Sequence, residues 1–270
     1  MIPLLLLLSA AQAADTCSVL TDAYPDGPVQ AGFQDGNLGG ARPLCARTAV
    51  GLAVNGYLVA DTANFYGHIV AGGHADGSWA VNDDLSLFAN LELVRYDYVI
   101  GAVSSSWIGT GHTRVGLTRR MGDNGHLAWG ITASSVLPTA FGLYDHAPPL
   151  GLDVGLLGVW TNGGSLRAHG QVGALASGTL SSVGLQPRAG ERTNLGLEWR
   201  PVKAFGLALD VDAGFAYVAP VDHVAAGLGL RFGLGPRGGL GLDVAYPFAG
   251  RERALASVSL GGTWRLGGGE

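Results

Sequence analysis

Residues 254–266 read ALASVSLGGTWRL. Ala254, Ala256, Val258, Leu260, Gly262, Trp264 and Leu266 fall on one parity. Leu255, Ser257, Ser259, Gly261, Thr263 and Arg265 fall on the other. A period of two with one apolar and one small or polar face is the signature of a β-strand, not of a helix. The same pattern recurs across residues 47–266 and gives about twelve strands, near 47–59, 64–75, 83–97, 111–121, 125–137, 150–161, 164–177, 190–200, 204–217, 222–234, 238–248 and 252–266. Each is long enough to cross a bilayer at a tilt, which takes about 9–11 residues.

The connections alternate in length from the third strand onward. Short ones carry turn chemistry: Gly122-Asp123-Asn124, Asn162-Gly163, Pro201-Val202-Lys203 and Gly235-Pro236-Arg237. Long ones are expected near 98–110, 138–149 and 178–189. Aromatics gather at both strand ends. Trp129, Trp160, Trp199, Phe205, Phe232 and Trp264 lie near the short turns, and Tyr57, Tyr96, Tyr98, Phe141, Tyr217 and Phe248 near the long loops. Tight turns on one side, long loops on the other and two aromatic girdles predict an all-β fold, an antiparallel transmembrane β-barrel of the outer-membrane type. By that rule the tight turns are periplasmic.

The termini agree with export. Ile2 to Leu8 form an apolar run ahead of Ala11-Gln12-Ala13, so residues 1–13 read as a signal peptide cleaved after Ala13. Asp15-Thr16 before Cys17 are not the small residues that a lipidated cysteine follows. Residues 14–46 form an N-terminal extension, 47–266 the barrel and 267–270 a short tail. Cys17 and Cys45, an even pair in an exported chain, are expected to form a disulfide. It would close a loop of roughly 29 residues, worth about 3 kcal/mol. The extension reads either as a periplasmic tether or as a plug in the lumen.

Composition excludes several function classes. A net charge of −5 gives no field that recruits nucleic acid, and no nucleic-acid motif is present. A mean hydropathy of +0.27 without a second long apolar run requires another way to hold apolar surface in lipid. A closed sheet does so with every backbone group paired. No G-x-S-x-G elbow, H-E-x-x-H motif or phosphate loop occurs. The seven histidines are scattered; His68 and His74 share a face of the second strand but stand about 20 Å apart, too far to chelate one metal. The chain therefore reads as a non-enzyme with no cofactor or metal.

The face opposite the apolar one carries Glu92, Arg114, Arg120, Asp153, Arg167, His169, Glu198, Arg200, Asp210, Asp212, Arg231, Asp243 and Arg265. These are expected to line the lumen, pairing across strands and bordering whatever path a solute takes. Arg95 and Arg119 fall on the apolar parity near strand ends, where a long side chain reaches the interface.

One stretch carries a resemblance. Gly109-Thr110-Gly111-His112-Thr113-Arg114-Val115-Gly116-Leu117-Thr118-Arg119-Arg120, the strand from Leu127 to Val136 and Leu137-Pro138-Thr139 after it resemble the phenol-degradation meta-pathway transporter-like barrels. Those are distantly similar to fatty-acid and aromatic-hydrocarbon transporters. Leu195-Gly196-Leu197-Glu198-Trp199-Arg200 and Gly227-Leu228-Gly229-Leu230-Arg231-Phe232 share the style. Ala140 follows Thr139 where that motif has glycine, and the chain does not end on an aromatic. The resemblance implies passive passage of small solutes, apolar or aromatic ones among them. The partners are then outer-membrane lipid, those solutes and the barrel-assembly machinery. The alternatives are a structural or adhesive barrel with a filled lumen, a membrane-embedded hydrolase and a soluble periplasmic β-protein.

Overall fold

The computed structural model describes residues 44, 46, 48–61, 66–101, 104–141, 149–181, 184–202, 204–216, 219–234, 238–250 and 254–266. The expected signal peptide, Cys17, Cys45, Tyr217 and the expected C-terminal tail lie outside the described residues.

The strands are β1 (Ala49–Asp61), β2 (Tyr66–Ala80), β3 (Leu85–Ile100), β4 (Ser105–Gly109), β5 (Thr113–Asp123), β6 (Leu127–Leu137) and β7 (Pro149–Thr161). They continue with β8 (Leu166–Ser181), β9 (Gly184–Val202), β10 (Phe205–Ala216), β11 (Ala219–Gly233), β12 (Gly238–Gly250) and β13 (Ala254–Arg265). All pairings are antiparallel between sequence neighbours except that β5 pairs with β3 rather than β4, and β1 pairs with β13 from Ala49↔Arg265 to Val59↔Ala254, which closes the sheet. The upper part of β3 pairs with β4 and its lower part with β5, so β4 and β5 share one place in the wall. The result is a closed antiparallel barrel of twelve wall positions.

The faces follow the alternation. Val258, Leu260 and Trp264 are 48–49 % exposed, whereas Ser259 and Arg265 between them are buried. Val50, Leu52 and Val54, Leu152, Val154 and Leu156, Leu195 and Leu197, Leu207 and Leu209, and Leu228 and Val244 extend this exposed apolar surface around the barrel. A continuous belt of that kind is stable only in lipid. Trp129, Trp160, Trp199, Phe232 and Trp264 stand exposed at its tight-turn edge, and Tyr96, Phe141 and Phe248 at the other.

The turns at one rim are built by asparagine. Asn82 Oδ1 accepts from the backbone N–H of Asp84 and Leu85 at 3.0 and 2.9 Å. Asn124 Oδ1 accepts from His126 and Leu127 at 3.1 and 2.7 Å, and Asn162 Oδ1 from Gly164 and Leu166 at 2.9 and 3.1 Å. Gly125 and Gly163 follow two of these asparagines with φ of 84° and 76°, a region that side chains disfavour. Asn124-Gly125-His126 is therefore the turn, two residues beyond the expected one, and β5 runs on to Asp123.

Four expectations are corrected. The expected loop at 98–110 is largely strand: β3 runs to Ile100 and β4 covers Ser105–Gly109. The expected loop at 178–189 is a two-stranded ribbon, with β8 and β9 paired from Leu166↔Trp199 to Ser181↔Gly184. Among the described residues, pairing of β9 with β10 runs as far as Gly190↔Ala216, short of Pro187. Arg95 does not lie on the lipid face. The β2–β3 register slips at Gly73/His74, where Gly73 faces Val94 and His74 faces Glu92. Leu93 and Val94 consequently both point outward, and Arg95, Asp97 and Val99 turn inward. Tyr57 leaves the girdle for a simpler reason: it shares the inward parity of Ala49, Gly51 and Ala53 and is buried.

Candidate functional site

The interior is lined by side chains from every wall position, and most of its charges lie in pairs. Near the rim away from the tight turns, Asp97 Oδ1 lies 3.1 Å from His68 Nε2 and accepts from Arg95 Nε at 3.0 Å. Arg95 Nη2 reaches the Tyr57 hydroxyl at 3.4 Å, and the Tyr57 ring meets the His68 ring edge-on at 6.5 Å. Deeper on the same wall, His74 Nε2 lies 2.6 Å from Asn55 Oδ1 and 4.0 Å from Glu92. Asn90 Nδ2 donates to Asp76 at 2.6 Å.

Across the interior, Asp153 Oδ2 holds Arg192 at 2.9 Å and Arg114 at 3.7 Å. Asn194 donates to Asp212 at 2.6 Å, and His169 meets Asp210 at 2.9 Å. Glu198 takes Arg200 at 2.6 Å, with Arg167 at 4.0 Å, and Asp243 takes Arg231 at 2.7 Å. Arg120 bonds Asp84 at 3.0 Å at the tight-turn rim. Arg265 is buried beside the start of β1.

Several of these pairs join strands that are not neighbours. Asp153 is on β7 and Arg192 on β9, with β8 between them; His169 is on β8 and Asp210 on β10, with β9 between them. The intervening residues are glycines. A Cβ on Gly173 would lie 3.3 Å from Asp153 Oδ1, and one on Gly196 would lie 2.1 Å from His169 Nε2 and 2.4 Å from Asp210 Oδ1. Each glycine is thus the saddle over which an ion pair crosses a strand.

The interior is asymmetric. Large side chains project from β2, β3, β5, β7 and β9. On β11, β12, β13 and β1 small residues (Ala225, Gly227 and Gly229, Gly241 and Ala245, Ser257, Ser259 and Gly261, Gly51 and Ala53) predominate, interrupted by Arg231, Asp243, Arg265, Asn55 and Tyr57. Near the tight-turn rim the interior is not empty of main chain. Leu44, ahead of β1, packs in an apolar cluster with Ala128, Leu157 and Val159 on the inner face of β6 and β7. Gly130 makes the room, since a Cβ there would lie 2.6 Å from Leu44 Cδ2. β7 is five of the twelve wall positions from β1, so Leu44 is seated on the wall across from the strand that follows it.

The thirteen charged or histidine residues of the polar parity are between 2 and 20 % exposed. The alternation missed Arg192 and Asn194, which share the parity of Glu198, and it missed Arg95, Asp97 and Tyr57 for the reasons given above. Leu44 left no periodic signal. Among the described residues no three metal-ligating side chains cluster.

The sequence matches no family model and no curated protein. Solved structures do match. The COG4313 outer membrane channel from Pseudomonas putida F1 superposes with a TM-score of 0.64 at 13 % identity, covering 86 % of this chain and 100 % of that one. The KdgM porin in complex with disordered oligogalacturonate matches with a TM-score of 0.54 at 7 % identity, covering 80 % and 99 %. The translocator domain of the autotransporter NalP from Neisseria meningitidis matches with a TM-score of 0.53 at 13 % identity, covering 83 % and 90 %. Together with the lipid-facing belt these likenesses define the class: a twelve-stranded barrel of the outer-membrane type. Channels, porins and a translocator domain share that fold, so activity has to be read from the interior.

Proposed function

We propose that the protein is an outer-membrane channel for passive passage of small solutes, apolar or aromatic ones among them, with the N-terminal extension acting as a plug. The observation that carries the reading is the pairing of buried charge around the interior, with small residues predominating on β11, β12, β13 and β1. Charges that neutralise each other leave a polar but weakly charged passage, which suits neutral solutes better than ions. The seat of Leu44 on β6 and β7 supports the plug, since it brings the extension into the mouth. Cys45 follows Leu44 directly, so a Cys17–Cys45 disulfide would root its loop at that mouth. A periplasm-facing tight-turn rim, a cleaved signal peptide and insertion by the barrel-assembly machinery complete this reading.

A second reading, a structural or adhesive barrel acting through its outer loops, draws on how tightly the interior is filled: Asn194, Asp243, His68 and Asp97 are at most 2 % exposed. Planar-bilayer recordings separate the two. On the channel reading, wild type gives small conductance steps, and Leu44→Ala, which loosens the plug, gives larger or more frequent ones. Silence from both proteins, each shown to be folded by heat-modifiable migration, sinks the channel. Identical traces from the two sink the plug alone.

A further inference from the structure

The tight-turn rim carries a second site, on the outside of the barrel. The β2–β3 turn and the adjacent strand form a cleft lined by Val81, Asn82, Asp83, Asp84, Leu85 and Arg119. Arg119 is the charged residue that does stay on the lipid-facing parity. It pairs in register with Leu85 and Ile131, and its side chain is exposed. Among the described residues its guanidinium makes no ion pair and no hydrogen bond. Asp84 is taken by Arg120, which bonds it at 2.9 and 3.0 Å. Among the described residues the Asp83 carboxylate has no such partner, and its backbone oxygen accepts from Arg120 at 3.3 Å. Arg119 and Asp83 therefore present opposite charges to one cleft without closing on each other, their nearest N···O approach exceeding 4.0 Å. Beside them Val81 and Leu87 are exposed, 46 and 40 %, on the side that faces the hydrocarbon. Trp129, Trp160, Trp199 and Trp264 mark the same rim as headgroup depth.

We infer that this cleft binds the headgroup of a zwitterionic phospholipid, phosphatidylethanolamine. Arg119 supplies a planar fork of N–H donors that matches a phosphate. Asp83 supplies the counter-charge for the ammonium one ethylene unit away, and Val81 and Leu87 meet the first carbons of the acyl chains. A purely anionic headgroup meets Asp83 as a repulsive neighbour, and a choline headgroup offers the carboxylate no N–H. The inference places the tight-turn rim in the phospholipid leaflet and is independent of whether the lumen conducts.

Native mass spectrometry of the full-length protein in detergent tests it, with phosphatidylethanolamine, phosphatidylcholine and phosphatidylglycerol titrated in separate arms. Wild type should retain phosphatidylethanolamine about fivefold better than either other lipid, a margin that two exposed charge contacts can supply. Arg119→Gln should remove that retention, and Asp83→Asn should equalise phosphatidylethanolamine with phosphatidylglycerol. Both side chains are exposed, so both variants keep the heat-modifiable folded form. Equal retention of the three lipids by wild type, or unchanged retention in Arg119→Gln, overturns the inference.

Discussion

Asp153→Asn is the sharpest test of the paired interior. The substitution keeps the volume and removes one negative charge. In the native barrel Asp153 Oδ2 sits 2.9 Å from Arg192 Nη1 and 3.7 Å from Arg114 Nη1, and all three side chains are 4–6 % exposed. Breaking a buried ion pair by removing one partner typically costs about 3–5 kcal/mol, because the remaining charge stays desolvated. Here one carboxylate serves two guanidiniums, but the second contact is long and Arg114 and Arg192 have further interactions. The lower end, about 3 kcal/mol, is therefore expected. For a chain of this size that corresponds to a fall in melting temperature of roughly 6–12 °C. The assay is the temperature at which the heat-modifiable band is lost in a fixed detergent. Asp83→Asn, at an exposed turn, is the control and should stay within about 0.5 kcal/mol of wild type. If Asp153→Asn melts together with that control, the interior is wet enough to screen its charges and the packed-lumen argument fails.

Gly196→Ala should disrupt the His169–Asp210 pair from a distance in sequence, because the added Cβ would lie 2.1 Å from His169 Nε2. The expected loss is about 1–3 kcal/mol in the same melting assay, whereas Gly77→Ala, with open space at its Cβ, should be neutral. Val258→Arg and Ser257→Arg test the faces of one strand. The first puts a charge in the lipid belt at about 2–4 kcal/mol near the midplane, and the second puts it inside. Refolding yield into lipid vesicles should fall for Val258→Arg alone, and equal yields would mean that the faces are misassigned. Cys17 and Cys45 should resist thiol alkylation until reduced and then take two adducts; labelling without reductant would show that they are not bonded.

How far the fold can be read from the chain depends on which interaction sets each feature. Faces are set locally, by the pleat, so the parity of Val258 and Ser259 appears in the sequence. Turns are local too, and Asn124-Gly125 was readable as one; the nearby glycine at 122 drew the boundary two residues early. The bulge at Leu93-Val94 is different. Two adjacent apolar residues look like ordinary strand, yet they shift the phase of everything after them. The signal was present, since Arg95 and Asp97 share a parity that would otherwise put two charges in lipid. Partnerships across the interior were not legible at all. Nothing local links Asp153 to Arg192, which lies 39 residues away on a strand that is not its neighbour. That contact needs the closed barrel and a glycine on β8.

The saddles also bear on how much room a passage has. An ion pair that steps over a strand lies flat against the wall, so it consumes less of the interior than two side chains reaching for the axis. Gly173 and Gly196 flatten the Asp153–Arg192 and His169–Asp210 pairs in this way. The opposite wall, from β11 to β1, sets small residues between the inward side chains of Arg231, Asp243, Arg265 and Tyr57. The space between Asn55, Asp243, Ala245, Ser257 and Ser259 on that wall is only about 10 Å³, room for one water, and Asp243 is joined there to Arg231 at 2.7 Å. Leu44 is seated away from that wall, on β6 and β7. On the channel proposal, a plug anchored at Leu44 would open by movement of the chain between it and β1. That chain, rather than the anchor, then sets the open fraction.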